Sequence, residues 1–241
     1  MRVAVLSDIH SNLAALDAVR ADMPEVDEVW VLGDIVGYGP QPNEVIRALQ
    51  EMGARSVMGN HDGAAIGTVD TRHFNPDAAE AIHWTADVID PNARAYLAAL
   101  PEMRREGDLT AVHGSPRDPV WEYILTPGVA AANLDAFETR LCLFGHTHVP
   151  IVFRADGAAR IDVVPATPDD PIRIDAVRSL VNPGSVGQPR DGNPAASYLL
   201  LDPQTGTAEF RRVGYDVART QRLMQQEGLP PRLSLRLAYG R

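Results

Sequence analysis

The sequence has only one cysteine, Cys142, so no intrachain disulfide can form. Cys142 lies in the apolar run Leu141–Phe144 and reads as a small buried hydrophobe. No stretch of about 18 apolar residues occurs, so no membrane span is expected. Met1 to Asp8 turns polar too early for a secretory signal and reads instead as a first strand. Basic residues are in deficit: 22 Lys and Arg against 32 Asp and Glu leave a net charge of −10. Bulk attraction for nucleic acid or an anionic membrane is therefore not expected. An acidic chain can still take a phosphate where metal ions reverse the charge locally. There is no internal repeat, low-complexity tract or linker that would divide the chain. These absences lead us to expect one domain over 1–241 in the cytoplasm, and 45% apolar residues suffice for its core.

The first half alternates strand-like and helix-like segments. Val3–Leu6 is followed by a helix from about Asn12 to Met23, with Leu13, Leu16 and Val19 on one face. Val29–Leu32 is a second strand. Pro42 opens a helix to Met52 with Val45 and Leu49 at i, i+4. Ser56–Met58 is a third strand, and Gly63–Phe74 reads as a loop. Asn75-Pro76 and Asp90-Pro91 each supply a cap and a first turn, for helices reaching about Ile89 and Leu100. Leu109–Val112 and Leu141–Phe144 are buried strands. After Pro150 come short β-like runs at 151–153, 161–164, 172–174, 197–201 and 208–213, more like a meander than βαβ units. From Asp216 an Arg-rich tail reads as helical, giving a C-terminal extension over 214–241.

Five islands of metal-capable residues each follow one of the apolar runs: Asp8-Ile9-His10, Gly33-Asp34, Gly59-Asn60-His61-Asp62, His113-Gly114 and Gly145-His146-Thr147-His148. In an open α/β sheet, sites form beyond the carboxyl ends of the strands, so the fold would gather the islands on one rim. Asp8 and His10, like His146 and His148, are two apart, and in extended chain such residues share a side. Gly33, Gly59 and Gly145 precede candidate ligands, where a tight turn or close backbone approach is needed. Carboxylate, imidazole and amide oxygen without thiolate favour Mn, Fe, Zn, Co or Ni over Cu(I), and the many imidazoles disfavour Ca and Mg. Seven candidate ligands exceed one tetrahedral site and suit two divalent ions sharing a carboxylate. Taken alone, each island is more often a plain turn or a structural His; the ordered set is what carries weight. His73 and His83 lie outside the islands and are assigned no role.

In that order, Asp-x-His, Gly-Asp, Gly-Asn-His-Asp, a lone His and Gly-His-x-His resemble the calcineurin-like metallophosphoesterases, over roughly Met1 to Val213. The resemblance implies an α/β fold, a four-layer α/β/β/α sandwich of two stacked mixed sheets flanked by helices. It implies that Asp8, His10 and His148 bind one metal, that Asn60, His113 and His146 bind the other, and that Asp34 bridges them. It also implies a small phosphorylated substrate attacked by metal-bound hydroxide, with His61 as proton donor. Asp62, next to His61 in the chain, is a candidate orienting partner by position. The Arg that follows Gly-Asp in the protein-phosphatase branch is missing from Gly33–Pro40, which points to the small prokaryotic phosphodiesterase branch instead. The segment Asn182-Pro183-Gly184-Ser185 resembles a loop of that branch close to the His146–His148 turn. Arg190 beyond it is a candidate phosphate contact, with a plain surface Arg as the alternative.

The leading expectation is a phosphodiesterase. The alternatives are a phosphomonoesterase or dinucleoside polyphosphate hydrolase on the same site, or a non-catalytic metal-binding scaffold. Against the scaffold, no expected ligand is missing. A binuclear lactonase or β-lactamase would need a His-x-His-x-Asp-His run, which is absent.

Overall fold

In the computed structural model, residues 1–155, 160–168, 170–174 and 177–241 are described. The first strand, β1 (Val3–Leu6), alternates as its sequence dictates: Val3 and Val5 join one apolar cluster, Ala4 and Leu6 another. It pairs parallel with β2 (Glu28–Val31), which pairs parallel with β3 (Arg55–Ser56). On its other edge β1 runs antiparallel to β11 (Ala196–Asp202), followed by β12 (Thr207–Val213) and β9 (Ile172–Arg173). The resulting six-stranded mixed sheet has the order β3-β2-β1-β11-β12-β9.

A second six-stranded sheet has the order β4-β5-β6-β10-β7-β8. Its strands are β4 (Met103–Glu106), β5 (Leu109–Val112), β6 (Leu141–Leu143), β10 (Ser179–Asn182), β7 (Ile151–Ala155) and β8 (Ile161–Pro165). The sheets stack face to face. Val3, Val5, Trp30, Leu199 and Leu201 of the first meet Leu109, Ala111, Leu143, Val152 and Val181 of the second in one buried cluster.

Helices cover the outer faces. On the first sheet lie α1 (Leu13–Asp22), α2 (Pro42–Glu51) and α5 (Pro91–Ala98), contributing Leu16, Val19, Val45, Leu49 and Leu97. On the second, α6 (Pro127–Asn133) packs Ala130 against Cys142, Phe144 and Phe153. The caps at Asn75 and Asp90 are those the sequence proposed. Asn12, Asn75 and Asp90 accept backbone N–H bonds from Ala15, Ala78 and Ala93 at 3.2, 3.0 and 2.8 Å. Asn75 caps α4 (Pro76–Val88), and Asp216 caps α7 (Val217–Gln226) through Arg219 N–H at 2.8 Å. Together with α8 (Pro231–Leu237), α7 forms a terminal hairpin. Its Met224, Leu233 and Leu237 pack against Tyr38, Ala78 and Ala81.

Some expectations shift. Gly63–Phe74 is not wholly a loop, since α3 (Asn60–Ala65) continues through its first residues. The β runs after Pro150 are not one meander: β7, β8 and β10 belong to the second sheet, β9, β11 and β12 to the first. The sequence reading missed β10, β4 and α6. β10 is four residues whose buried pattern shows no alternation, because both its faces are covered.

Candidate metal centre

The carboxyl ends of β1, β2, β5 and β6, and the N-terminus of α3, bring the five islands to one rim. Their backbone is not extended. Asp8, His10, Asp34, His146 and His148 have φ of 53°, 49°, 49°, 66° and 59°, and the remaining non-glycine residues with positive φ among those described, Ser11 and Tyr38, lie on the same rim. The i, i+2 pairs therefore converge through left-handed turns, not through strand alternation as the spacing suggested. These conformations are held from outside. Asp8 N–H, His10 N–H and Ser11 N–H donate to the carbonyls of Gly33, Asp34 and Ile35 at 3.1, 3.0 and 2.9 Å. Crowding explains two glycines: a Cβ at Gly59 would strike the Asp34 carboxylate, and one at Gly145 would strike Ser7 Oγ.

Ligand-capable atoms fall into two groups. Asp8, His10, Asp34 and His148 form one, and Asp34, His113 and His146 the other, with each group's atoms within 4.8 Å of one another. Asp34 is common to both: its Oδ2 lies 3.7 Å from His10 Nε2 and 3.4 Å from His113 Nε2. Asn60 joins the second group, with its side-chain oxygen 3.0 Å from His113 Nε2.

The donor set fits cations on its own chemistry. His10, His113 and His148 each turn Nδ1 to a main-chain carbonyl, of Val36, Leu32 and Gln188, at 3.1, 2.8 and 2.6 Å. A carbonyl only accepts, so Nδ1 carries the hydrogen and Nε2 points into the site. Burial holds His10 and His148 well below the ordinary imidazole range, hence neutral. Their Nε2 atoms nevertheless lie 3.2 Å apart, and Asp8 Oδ1, buried without a partner, is 3.2 Å from that of His148. In the second group the Asn60 amide faces Asp34 Oδ2 and His146 Nδ1, both at 3.2 Å. Lone pairs aimed at one another in a buried space are repulsive until a cation sits between them.

The remaining valences are tied down. Asp8 Oδ2 accepts from Ser7 Oγ at 2.6 Å and from His146 N–H at 3.1 Å, leaving Oδ1 free. Asp34 Oδ1 accepts from His61 N–H at 2.9 Å, leaving Oδ2 free. Burial pushes the Asp8 carboxyl up to about 7, so a proton competes with a metal there. Asp34 is also buried, but His113, His61 and His10 outweigh burial and hold it well below the carboxylate range. Burial works against a charge on His113, yet Asp34 and Asp8 raise it to about 9.

Asp62 does not orient the His61 ring. It binds backbone instead, accepting from Ile35, Val36 and Gly59 N–H at 2.9, 3.0 and 3.0 Å, and so fixes the turn that carries Asp34. The segment from Asn182 acts as a brace. Asn182 Nδ2 donates to Gly145 O at 2.6 Å, and Ser185 Oγ donates to Asp8 O at 2.8 Å. Arg190 lines the cavity above the centre, bonded to Gln188 Oε1 at 3.0 Å and to Tyr38 Oη at 3.4 Å. That cavity, of about 520 Å³, is lined by Asp34, Asn60, His61, His146 and His148 below and by Phe74, Trp121 and Tyr123 to the side. His73, given no role from sequence, also lines it, whereas exposed His83 only bonds Thr71 Oγ1 at 3.2 Å. The rings went unread because they sit in irregular segments without periodicity.

Comparisons with known proteins agree with this geometry. The solved metallophosphoesterase from Sphaerobacter thermophilus superposes with a TM-score of 0.92 at 45% identity, covering 100% of this chain and 99% of that one. A protein of Methanocaldococcus jannaschii described only as uncharacterised is 37% identical over 248 residues, 99% of this chain and 98% of its own length. Symmetrical bis(5'-nucleosyl)-tetraphosphatase of Photorhabdus laumondii is 34% identical over 101 residues, which is 35% of this chain and 37% of that protein. A family model described as the calcineurin-like phosphoesterase superfamily domain matches residues 1–206. The chain belongs to the calcineurin-like phosphoesterase superfamily, whose members are metal-dependent hydrolases of phosphate esters.

Proposed function

We propose that this chain is a phosphodiesterase working with two divalent transition-metal ions, of Mn, Fe, Zn, Co or Ni. Asp8, His10 and His148 would hold one, Asn60, His113 and His146 the other, and Asp34 both. The observation that carries the reading is the single buried carboxylate shared by two groups of inward-facing lone pairs. When bound, the ions supply a deprotonated water at neutral pH and neutralise phosphoryl charge.

The chain's own residues do the rest. The braced turns at Asp8, Asp34 and His146–His148 fix the donors before substrate arrives. Arg190 offers a guanidinium to a phosphoryl oxygen. His61 delivers a proton to the leaving oxygen. Burial draws its imidazole down to about 4, so the proton is acquired when an anionic phosphate lies beside the ring and favours the charged form. The partial likeness to a tetraphosphatase favours a second reading, a dinucleoside polyphosphate hydrolase on the same site.

The whole chain is read as one domain with α7–α8 as an extension, in the cytoplasm, where the lone Cys142 stays reduced. No described helix is long and apolar enough to cross a membrane. Reconstitution with excess Mn tests the function. Elemental analysis should give two ions per chain, and bis(p-nitrophenyl) phosphate should be turned over faster than p-nitrophenyl phosphate. A single tight ion, or a preference for the monoester, overturns the reading.

A further inference from the structure

Trp121 and Tyr123 belong to none of the buried apolar clusters, although both are large rings. Tyr123 is 43% exposed, and it lies flat against His146 with ring centroids 3.7 Å apart and an interplanar angle of 18°. Trp121 meets His73, Phe74 and His146 at 5.8, 5.1 and 6.5 Å, tilted by 70°, 60° and 80°, so no described ring lies parallel on it. All of these rings line the same 520 Å³ cavity as Asp34 and Asn60. That is a normal size for a site that buries a small ligand.

The loop that presents Trp121 is built rigidly. Glu122 accepts from Ser115 Oγ and Asn133 Nδ2, both at 2.7 Å, and from Arg117 Nη2 at 2.6 Å. Arg117 N–H donates to Asn133 Oδ1 at 3.1 Å, tying the loop to α6, and Trp121 N–H donates to Asp118 Oδ1 at 3.2 Å. An aromatic wall held this firmly beside a phosphate site presents ring surface at low entropic cost.

We propose that Phe74, Trp121 and Tyr123 form a stacking subsite for a planar heteroaromatic group carried on the phosphate, so that the substrate is a nucleotide ester and not an alkyl or sugar phosphate. The proposal rests on the phosphoester reading above and adds the identity of the esterified group. Stacking is tolerant of base identity, since every base offers a π-face, so adenine and uracil nucleotides are both accepted.

The test uses Zn-loaded full-length protein and two probes with the same phosphate, adenosine 5'-monophosphate and ribose 5-phosphate. The nucleotide should bind roughly tenfold tighter and quench tryptophan fluorescence, in line with the usual worth of a base–aromatic stack. Trp121→Leu should abolish the quenching and bring the two affinities within about twofold of each other. Tyr123→Leu, at an exposed ring, should narrow the same gap in a protein whose circular dichroism is unchanged. Equal affinity of the wild-type protein for both probes, or an unchanged preference in Trp121→Leu, overturns the subsite. Failure of both probes to bind overturns instead the phosphoester reading beneath it.

Discussion

The sandwich has two rims, and they are built differently. At the amino ends of the strands, Trp30, Leu109, Leu141, Ile174 and Leu201 close around an apolar cavity of about 170 Å³. The left-handed positions there are Gly107 and Gly206, in hairpin turns that only reverse the chain. At the carboxyl ends, every left-handed non-glycine residue carries or abuts a ligand position. A turn that serves only topology uses glycine. A turn that must aim a side chain uses aspartate or histidine in a conformation costing of order 1–3 kcal/mol. The surrounding hydrogen bonds offset that cost.

Asp34→Asn strikes the chemical rim hardest. Activity should fall by at least about 10³-fold, as when stabilisation of transition-state charge is removed, and elemental analysis should find fewer than two ions. Intact metal content with only a raised KM would remove Asp34 from the bridge. His61→Ala comes next: both ions stay and kcat falls by roughly 10²–10⁴-fold. The deficit should shrink with a nitrophenolate leaving group, which departs without a proton. An equal loss across leaving groups would assign His61 to charge stabilisation instead.

Trp30→Ala addresses the opposite rim. The ring is 1% exposed in the inter-sheet core, and its removal should cost about 3–5 kcal/mol of stability in denaturant unfolding. Turnover per folded molecule should stay at the wild-type value. A proportionate loss of kcat would mean that the rims are coupled. The smallest effect is expected at Gly107→Ala. Nothing lies within 4 Å of the added methyl, so only the strain of φ 55° remains, about 1–2 kcal/mol in a melt.

The same division explains what was legible in the sequence. The clustering of candidate donors was legible because Asp, His and Asn recur at the ends of apolar runs, and these runs became β1, β2, β5 and β6 with shifts of a residue or two. The backbone that aims those ligands was not, since left-handed turns at Asp8 or His148 depend on bonds to segments over 20 residues away. The aromatic wall was hidden for a related reason. Phe74 and Trp121 are 47 positions apart in irregular segments, and no periodicity links them. Asp62 was misread because adjacency to His61 suggested a side-chain pair, whereas its carboxylate had three backbone donors to satisfy.

The distribution of ligands along the chain has a bearing on synthesis. Asp8, His10, Asp34 and Asn60 stand on the first sheet's rim, and His113, His146 and His148 on that of the second. One group is closed by His148 and the other by His146, so neither exists on a growing chain until both have left the ribosome and the sheets have met. A half-made polypeptide thus offers an incomplete share of each group, Asp8, His10 and Asp34 of one and Asp34 of the other. A cation held by a complete set would favour the assembled sandwich over every incomplete form of it.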